Sequence, residues 1–309
     1  KLLDSDVKAV EDVTFSLKTG EILGIAGESG CGKSTLAATL STVILPPLKL
    51  IGGRLITEDG KNIFELREIT LRRKIRGKYL ALIPQSAMNA LNPTKKIKDL
   101  VIDAIKAHYP KMPKEEILKI SMKQFAELGL PPRVLESYPF ELSGGMKQRS
   151  VIAISSILNP KVLVADEPTA ALDVSTQRTV LNLLVSLKDK GIVQIIIFVT
   201  HDIAVLRQIA DRIMLMYAGM IVEVNDTEDV IFKPLHPYTQ GLISTVIVPE
   251  PDIKEKVLTG IPGAPPNLKN PPPGCRFHPR CNFAMPKCEK EVPPLFSKNR
   301  GIVRCWLYA

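Results

Sequence analysis

No apolar run in this chain approaches the ~18 residues that a membrane-spanning helix needs. The strongest, GIVQIIIFV (191–199), is much shorter and reads as a buried strand. A secretory signal is also missing, so the cytoplasm is the default compartment. The chain opens on Lys1 instead of methionine, and residues ahead of it are expected. There is no internal repeat. Cysteine is almost absent until the end, since four of the five fall within the last 35 residues.

What is present is ordinary in bulk. Hydrophobic residues make up 45% and charged residues 24%, as in a soluble globular protein. A length of 309 residues suggests one large unit with an appendage. Net charge is +9, with Lys and Arg dense in REITLRRKIRGK (67–78) and again at Lys95, Lys96 and Lys98. Such a balance suits nucleic acid, an anionic membrane surface or nucleotide phosphates, and equally a set of solvated helix faces. Charge leaves the partner open.

EILGIAG (21–27), YLALIPQ (79–85), VLVADEP (162–168) and QIIIFVTHD (194–202) are short apolar runs that end in polar residues or glycine. With helical patterns between them, they predict the buried parallel strands of an α/β sheet. Ligands bind at the carboxyl ends of such strands, and chemically capable residues stand at all four ends. VEDVTFSLKTG and RLITEDGKNI alternate instead, which predicts a small antiparallel sheet at one side. Between about Ser86 and Leu158, LVIDAIKAHYP and EEILKISMKQFAELGL carry apolar residues every three or four positions, the pattern of a helical insert. From Pro249 to Gly274 there are eight prolines in 26 residues, a linker or an extended wrapping arm. The division expected is a core over 1–235, its helical part about 86–158, and an extension over 236–309.

GESGCGKST (Gly27–Thr35) follows a predicted strand and opens a helical pattern, the context a P-loop requires. Gly27, Gly30 and Gly32 let the backbone amides curl inward around an anion, with Glu28, Ser29 and Cys31 between them. Lys33 brings a charge to the outer phosphates, Ser34 can ligate Mg²⁺, and Thr35 follows at the helix start. Cys31 needs only to be small. In VLVADEP, Asp166 is suited to orient Mg²⁺ and Glu167 to polarise an attacking water. Alone, that pair could be a plain strand-end cap.

ELSGGMKQRSVIAISSIL (141–158) narrows the class. Ser143, Gly144 and Gly145 precede a helix and form a second anion-binding N-terminus without a lysine of its own. Such a piece makes sense if it closes on nucleotide held by another subunit. The chain here resembles the nucleotide-binding subunit of an ABC transporter along nearly its whole length. GESGCGKS matches the Walker A motif, Gln85 in LIPQS the Q-loop and LSGGMKQR the signature. VLVADEP matches Walker B, AALD (170–173) the D-loop and VTHD the switch with His201.

The resemblance implies a P-loop NTPase core of RecA type with an antiparallel β subdomain and a helical insert. It also implies a head-to-tail ATPase dimer with two sandwiched ATP molecules. Each ATP would be held by one subunit's Walker motifs and by Ser143, Gly144, Gly145 and Asp173 of the other. Glu167 would activate water, His201 would hold the γ-phosphate, and Gln85 would couple Mg²⁺ to the insert, which grips membrane subunits. One departure stands out: the family often stacks adenine on an aromatic residue upstream of Walker A, and KLLDSDVKAVEDV has none.

IFKPLHPYTQGLI (231–243) followed by IPGAPPNLKNPPPGCRFHPRC resembles the C-terminal extension of dipeptide and oligopeptide importer ATPases, a group that includes nickel uptake systems. Chemically, HPYT reads as a turn into a helix with His236 and Tyr238 at the surface. The importer reading implies two membrane permease subunits, a second ATPase that is a paralogue or a copy, and, indirectly, an extracytoplasmic substrate-binding protein. It places the chain on the cytoplasmic face of the cell membrane and involves no nucleic acid. The alternative is a soluble ABC ATPase acting on nucleic acid, ribosomes or iron–sulfur assembly. No long coiled coil or second motif set supports it. A purely regulatory binding role conflicts with intact Glu167 and His201.

Cys275, Cys281, Cys288 and Cys305 could form disulfides, ligate zinc, hold an iron–sulfur cluster or stay free. The cytoplasm disfavours stable disulfides, and the tight pairs usual for structural zinc are missing. Iron–sulfur clusters accept four thiolates at irregular spacing, and a tail with little core would gain folding energy from one. A [4Fe–4S] cluster is the favoured expectation, with zinc as the alternative. Arg276, Arg280 and Arg304 are expected to offset thiolate charge, and His278 is a conceivable substitute ligand. The role expected is structural or redox-sensing, away from catalysis.

Overall fold

The computed structural model describes residues 6–170, 172–245, 260–298 and 300–309. The chain begins its regular structure with β1 (Ile22–Ala26), which the P-loop joins to α1 (Lys33–Leu40). Next come the short α2 (Glu68–Thr70), β2 (Leu80–Ile83), α3 (Ile97–Lys106), α4 (Lys114–Glu127), α5 (Arg133–Glu136) and α6 (Gly144–Ser156). β3 (Val162–Asp166), α7 (Val174–Asp189), β4 (Ile195–Val199), α8 (Ile203–Ile209), β5 (Arg212–Tyr217) and β6 (Met220–Asp226) follow. The C-terminal part adds α9 (Thr227–Phe232), α10 (Pro237–Thr245), α11 (Pro286–Lys290), β7 (Phe296–Lys298) and β8 (Gly301–Val303). No helix among the described residues is long and apolar enough to cross a membrane.

Two compact units result: Lys1–Leu36 with Phe198–Ala309, and Ala37–Ile197. In the second, β2 pairs in parallel with β3, from Leu80 opposite Val162 to Ile83 opposite Ala165. The amides of Gln194 and Ile195 both donate to Lys161 O at 3.0 Å, which leads the chain into β4 beside β3. The helical insert lies in this unit. On α3, Ile97, Val101 and Ile105 are buried at four-residue spacing, and that apolar stripe is what holds the helix to its neighbours. The basic run 67–78 forms α2 and the turn after it, where Glu68 pairs with Arg72 and Arg76. Its charges are mostly solvated.

In the first unit the strand order is β1-β5-β6-β8-β7, with β1 and β5 parallel and the rest antiparallel. β1 is fully buried on both faces, as a continuous Ile/Leu run requires in a parallel sheet. Thr200 leaves β4 with its amide donating to Ile25 O at 3.0 Å. Antiparallel pairing is therefore built at β5–β6–β8–β7, not where the sequence suggested. VEDVTFSLKTG carries no named strand, and RLITEDGKNI holds one isolated bridge, Ile56 to Asn62. Alternation in these segments reflects half-burial along the surface, a pattern that does not by itself supply a pairing partner.

Candidate active site

The phosphate loop is shaped by contacts that admit only glycine at two points. Gly27 (φ +151°) lies where a Cβ would meet Met216 O at 2.2 Å, and Gly32 (φ +103°) where it would meet Ala9 O at 2.2 Å. Lys33 is buried and donates from Nζ to Gly27 O at 2.7 Å and to Glu28 O at 3.0 Å. The loop thus holds its own lysine over the turn. Burial pushes the Cys31 thiol above its ordinary range, so it sits there as a neutral small side chain. Ser29 and Gly30 are exposed, as is Ser34, while Thr35 is half-buried on α1. In the same unit His201 stands exposed just past β4, ahead of Asp202, which caps α8 by accepting from the Ala204 amide at 2.9 Å.

The second unit carries the remaining residues. Asp166 is the buried last residue of β3. Glu167 follows it at φ +51°, a left-handed conformation that is strained for a residue with a Cβ and typical of functional turns. Gln85 is exposed just after β2. Ser143 caps α6 by accepting from the Met146 amide at 3.3 Å, leaving Ser143 and Gly144 exposed at the helix start. Gln148, buried on α6, donates to Pro168 O at 2.6 Å, so the signature helix and the turn after Glu167 are fastened together. Asp173 caps α7, accepting from the Thr176 amide at 2.9 Å and from the Ser175 and Thr176 hydroxyls at 2.6 Å. These bonds hold its carboxyl well below the usual range. Ala171 of the D-loop and residues 1–5, the first part of KLLDSDVKAVEDV, lie outside the described residues.

The C-terminal segment corrects three sequence expectations. His236 and Tyr238 are not at the surface: they are 1% and 0% exposed. Burial holds His236 down to about 3, hence neutral, and its Nδ1 accepts from the Tyr238 amide at 3.0 Å. Tyr217, Tyr238 and His236 form an aromatic cluster around Phe277, at centroid distances of 5.2, 5.5 and 5.7 Å from it. The three arginines have carboxylate and carbonyl partners in place of the thiols. Arg276 pairs with Glu11 and Ala218 O, Arg280 with Glu28 at 2.7 Å, and Arg304 with Asp12 at 2.8 Å. A guanidinium beside a carboxylate gains far more than one facing a neutral thiol, which decides the pairing.

All four tail cysteines are free. Cys275 donates its amide to Cys288 O at 2.8 Å, and His278 Nδ1 lies 2.9 Å from Cys275 O. The Phe283 amide donates to Cys281 Sγ at 3.4 Å and the Met285 amide to Cys288 Sγ at 3.5 Å. Burial, reinforced by the neighbouring cysteines, pushes the Cys275 and Cys305 thiols up to about 11. Among the described residues no group of three or more His, Cys, Asp or Glu is spaced to hold a metal ion.

With this geometry in place, known proteins can be compared. Residues 10–170 match the ABC transporter family and residues 222–288 the oligopeptide/dipeptide transporter C-terminal region. The dipeptide transport ATP-binding protein DppD of Caldanaerobacter subterraneus subsp. tengcongensis is 41% identical over 99% of this chain and 93% of its own length. The oligopeptide transport ATP-binding protein OppD of Escherichia coli is 40% identical over 97% of this chain and 88% of its own. The dimeric post-hydrolysis structure of the ATP-binding cassette MJ0796 bound to ADP and Pi covers 74% of this chain and 94% of that one, with a TM-score of 0.63 at 27% identity. Full-length likeness to two ATP-binding subunits, and the cassette match over residues 10–170, lead to one conclusion: this chain belongs to the ABC transporter family as an ATP-hydrolysing, ATP-binding subunit.

Proposed function

We propose that this chain drives import of di- or oligopeptides, working on the cytoplasmic face of the cell membrane with two permease subunits and a second ATPase. The observation that carries the reading is the extent of the match: the cassette at 10–170 is joined by the oligopeptide/dipeptide C-terminal region at 222–288. That second match disfavours a soluble ATPase acting on nucleic acid, ribosomes or iron–sulfur assembly. A substrate-binding protein outside the membrane would supply cargo to the permease. The functional division is a nucleotide-binding domain over 1–235, its helical part about 86–158, and an extension over 236–309.

Each residue has an assigned role. Gly27 to Thr35 cradle the phosphates of ATP, with Lys33 on the outer ones, and Ser34, Gln85 and Asp166 serve Mg²⁺. Glu167 orients and deprotonates the attacking water, and its left-handed backbone supports the role because strain of this kind is kept where orientation matters. His201 holds the γ-phosphate. Ser143, Gly144, Gly145 and Asp173 act on the ATP of the partner subunit, for which the exposed start of α6 is suited. Co-purification with polytopic membrane subunits, and loss of labelled-peptide uptake by cells carrying Glu167→Gln, tests the assignment. Co-purification with RNA and intact uptake would sink it.

We propose that the four tail thiols serve a metal centre, on the strength of their number and irregular spacing in the sequence. Among the described residues no group is already spaced to hold a metal ion, so the thiols would have to draw together around the centre. A four-iron cluster spreads its thiolates around a larger core, and amide N–H bonds to Cys281 and Cys288 Sγ suit ligated sulfur. We therefore retain a [4Fe–4S] cluster on Cys275, Cys281, Cys288 and Cys305 over zinc. Bound iron would hold Cys275, Cys281 and Cys305 as thiolates against the burial that favours their neutral form. Anaerobic absorption near ~400 nm with matching iron and sulfide supports it. Absence of iron, with or without zinc, or unchanged metal content in Cys281→Ser, overturns it.

A further inference from the structure

Glu28 is the second residue of the phosphate loop, and each of its polar groups is committed. Its amide donates to Tyr238 Oη at 2.8 Å, and its carbonyl accepts from Lys33 Nζ at 3.0 Å. Its carboxylate accepts two N–H bonds from Arg280, at 2.7 and 3.0 Å. Two of those three partners come from beyond residue 235, on α10 and in the cysteine segment. Arg280 immediately precedes Cys281 and is itself locked: Nε donates to Pro262 O at 2.7 Å, Nη2 to Gly263 O at 3.3 Å and Nη1 to Tyr217 Oη at 3.3 Å. Its side chain is 6% exposed and that of Glu28 21%.

A carboxylate in a loop that must receive a triphosphate is electrostatically adverse unless its charge is offset and turned aside. The planar guanidinium does both, because two parallel bonds fix the carboxylate's orientation as well as its charge. We infer that the Glu28 side chain positions the loop and is not itself a nucleotide ligand, and that Arg280 and Tyr238 hold the phosphate loop through this residue. The cysteine segment thereby sets how well the loop receives nucleotide. Whatever loosens the chain at Cys281 is felt at Glu28 one residue away from its anchor. This rests on reading Gly27–Thr35 as the nucleotide loop.

The test is a double-mutant cycle on the full-length chain, with Glu28→Gln, Arg280→Gln and the pair combined, read as binding of a fluorescent ATP analogue and as steady-state ATPase. Each single change should raise the dissociation constant and KM by roughly tenfold, equivalent to about 1.4 kcal/mol, while kcat stays within about twofold of the parent. The combined variant should be no worse than either single one. Arg280→Lys, which keeps the charge but loses the fork, should fall between. A role of Arg280 confined to anchoring the tail through Pro262 and Gly263 predicts instead that its effect is independent of Glu28. Parent affinity in Glu28→Gln, or effects that multiply in the combined variant, overturns the proposal. If Arg280→Gln does not fold, the same cycle is run with Arg280→Lys in its place. Lys33→Ala separates the two readings. If it binds nucleotide like the parent, the loop reading fails and takes the proposal with it. If it alone is defective, only the proposal fails.

Discussion

Two helices of this protein begin with glycine-rich turns that offer amides to an anion, and they are finished in opposite ways. The turn before α1 is supported on every side: Lys33 reaches back to Gly27 and Glu28, and Tyr238 and Arg280 hold Glu28 from the C-terminal segment. The turn before α6 has a capping serine, and Ser143 and Gly144 remain exposed. One end is complete within its own chain, while the other supplies a dipole and bare amides but no cation. The difference teaches that a shared motif does not make an equal site. In the proposed function, the surroundings separate a loop that binds ATP in its own chain from a helix start that serves the ATP of a partner.

That contrast can be broken at several points. The largest effect is expected at Glu167→Gln, which should lower phosphate release by roughly 10²–10⁴-fold while ATP binding persists and an ATP-bound dimer accumulates. Gel filtration with and without ATP reads the dimer, and unchanged hydrolysis removes Glu167 from the chemistry. Next, Gly145→Glu places a negative charge at the open helix start. It should cost about 10²-fold in turnover and leave binding of a fluorescent ATP analogue by the single chain untouched. Equal loss of binding would mean that the two helix ends do not differ as described.

Smaller effects probe the supports. Phe277→Ala removes the ring at the centre of the Tyr217–Tyr238–His236 cluster and should cost about 3–5 kcal/mol in urea unfolding of the unit that holds the phosphate loop. A loss below ~1 kcal/mol would show that the tail is docked by its arginine pairs alone. Gln148→Leu strips the bond to Pro168 O and leaves that carbonyl without its buried partner. It should cost about 1–3 kcal/mol, with a fall in kcat and not in ATP affinity.

The four strands that end in chemistry are readable because β1, β3 and β4 are buried on both faces and β2 nearly so. Continuous Ile, Leu and Val runs such as ILGIA and IIIFV have no other comfortable place. The candidate site was equally readable, since its chemistry resides in short local strings: a lysine after glycines, an acid pair closing a strand, a serine before two glycines. The antiparallel strands were misplaced because pairing partners are distant in sequence; β6 meets β8 some eighty residues later. Nothing in VEDVTFSLKTG distinguishes an edge from a surface coil. His236 and Tyr238 were read as exposed because burial of a polar ring depends on partners that no local pattern names. Burial works here only because Tyr238 accepts from the Glu28 amide and the Tyr238 amide donates to His236.

By its order of residues alone this chain determined that it would curl a loop around phosphate, place acids at a strand end and offer a second helix start. Those features need only neighbours a few positions away. Only the tertiary structure decided what the tail's arginines are for. Bringing Arg280 to Glu28 requires 252 residues of chain to fold back on themselves. Once there, the buried guanidinium has one strong partner, and it is the carboxylate of the loop and not the thiols beside it in sequence.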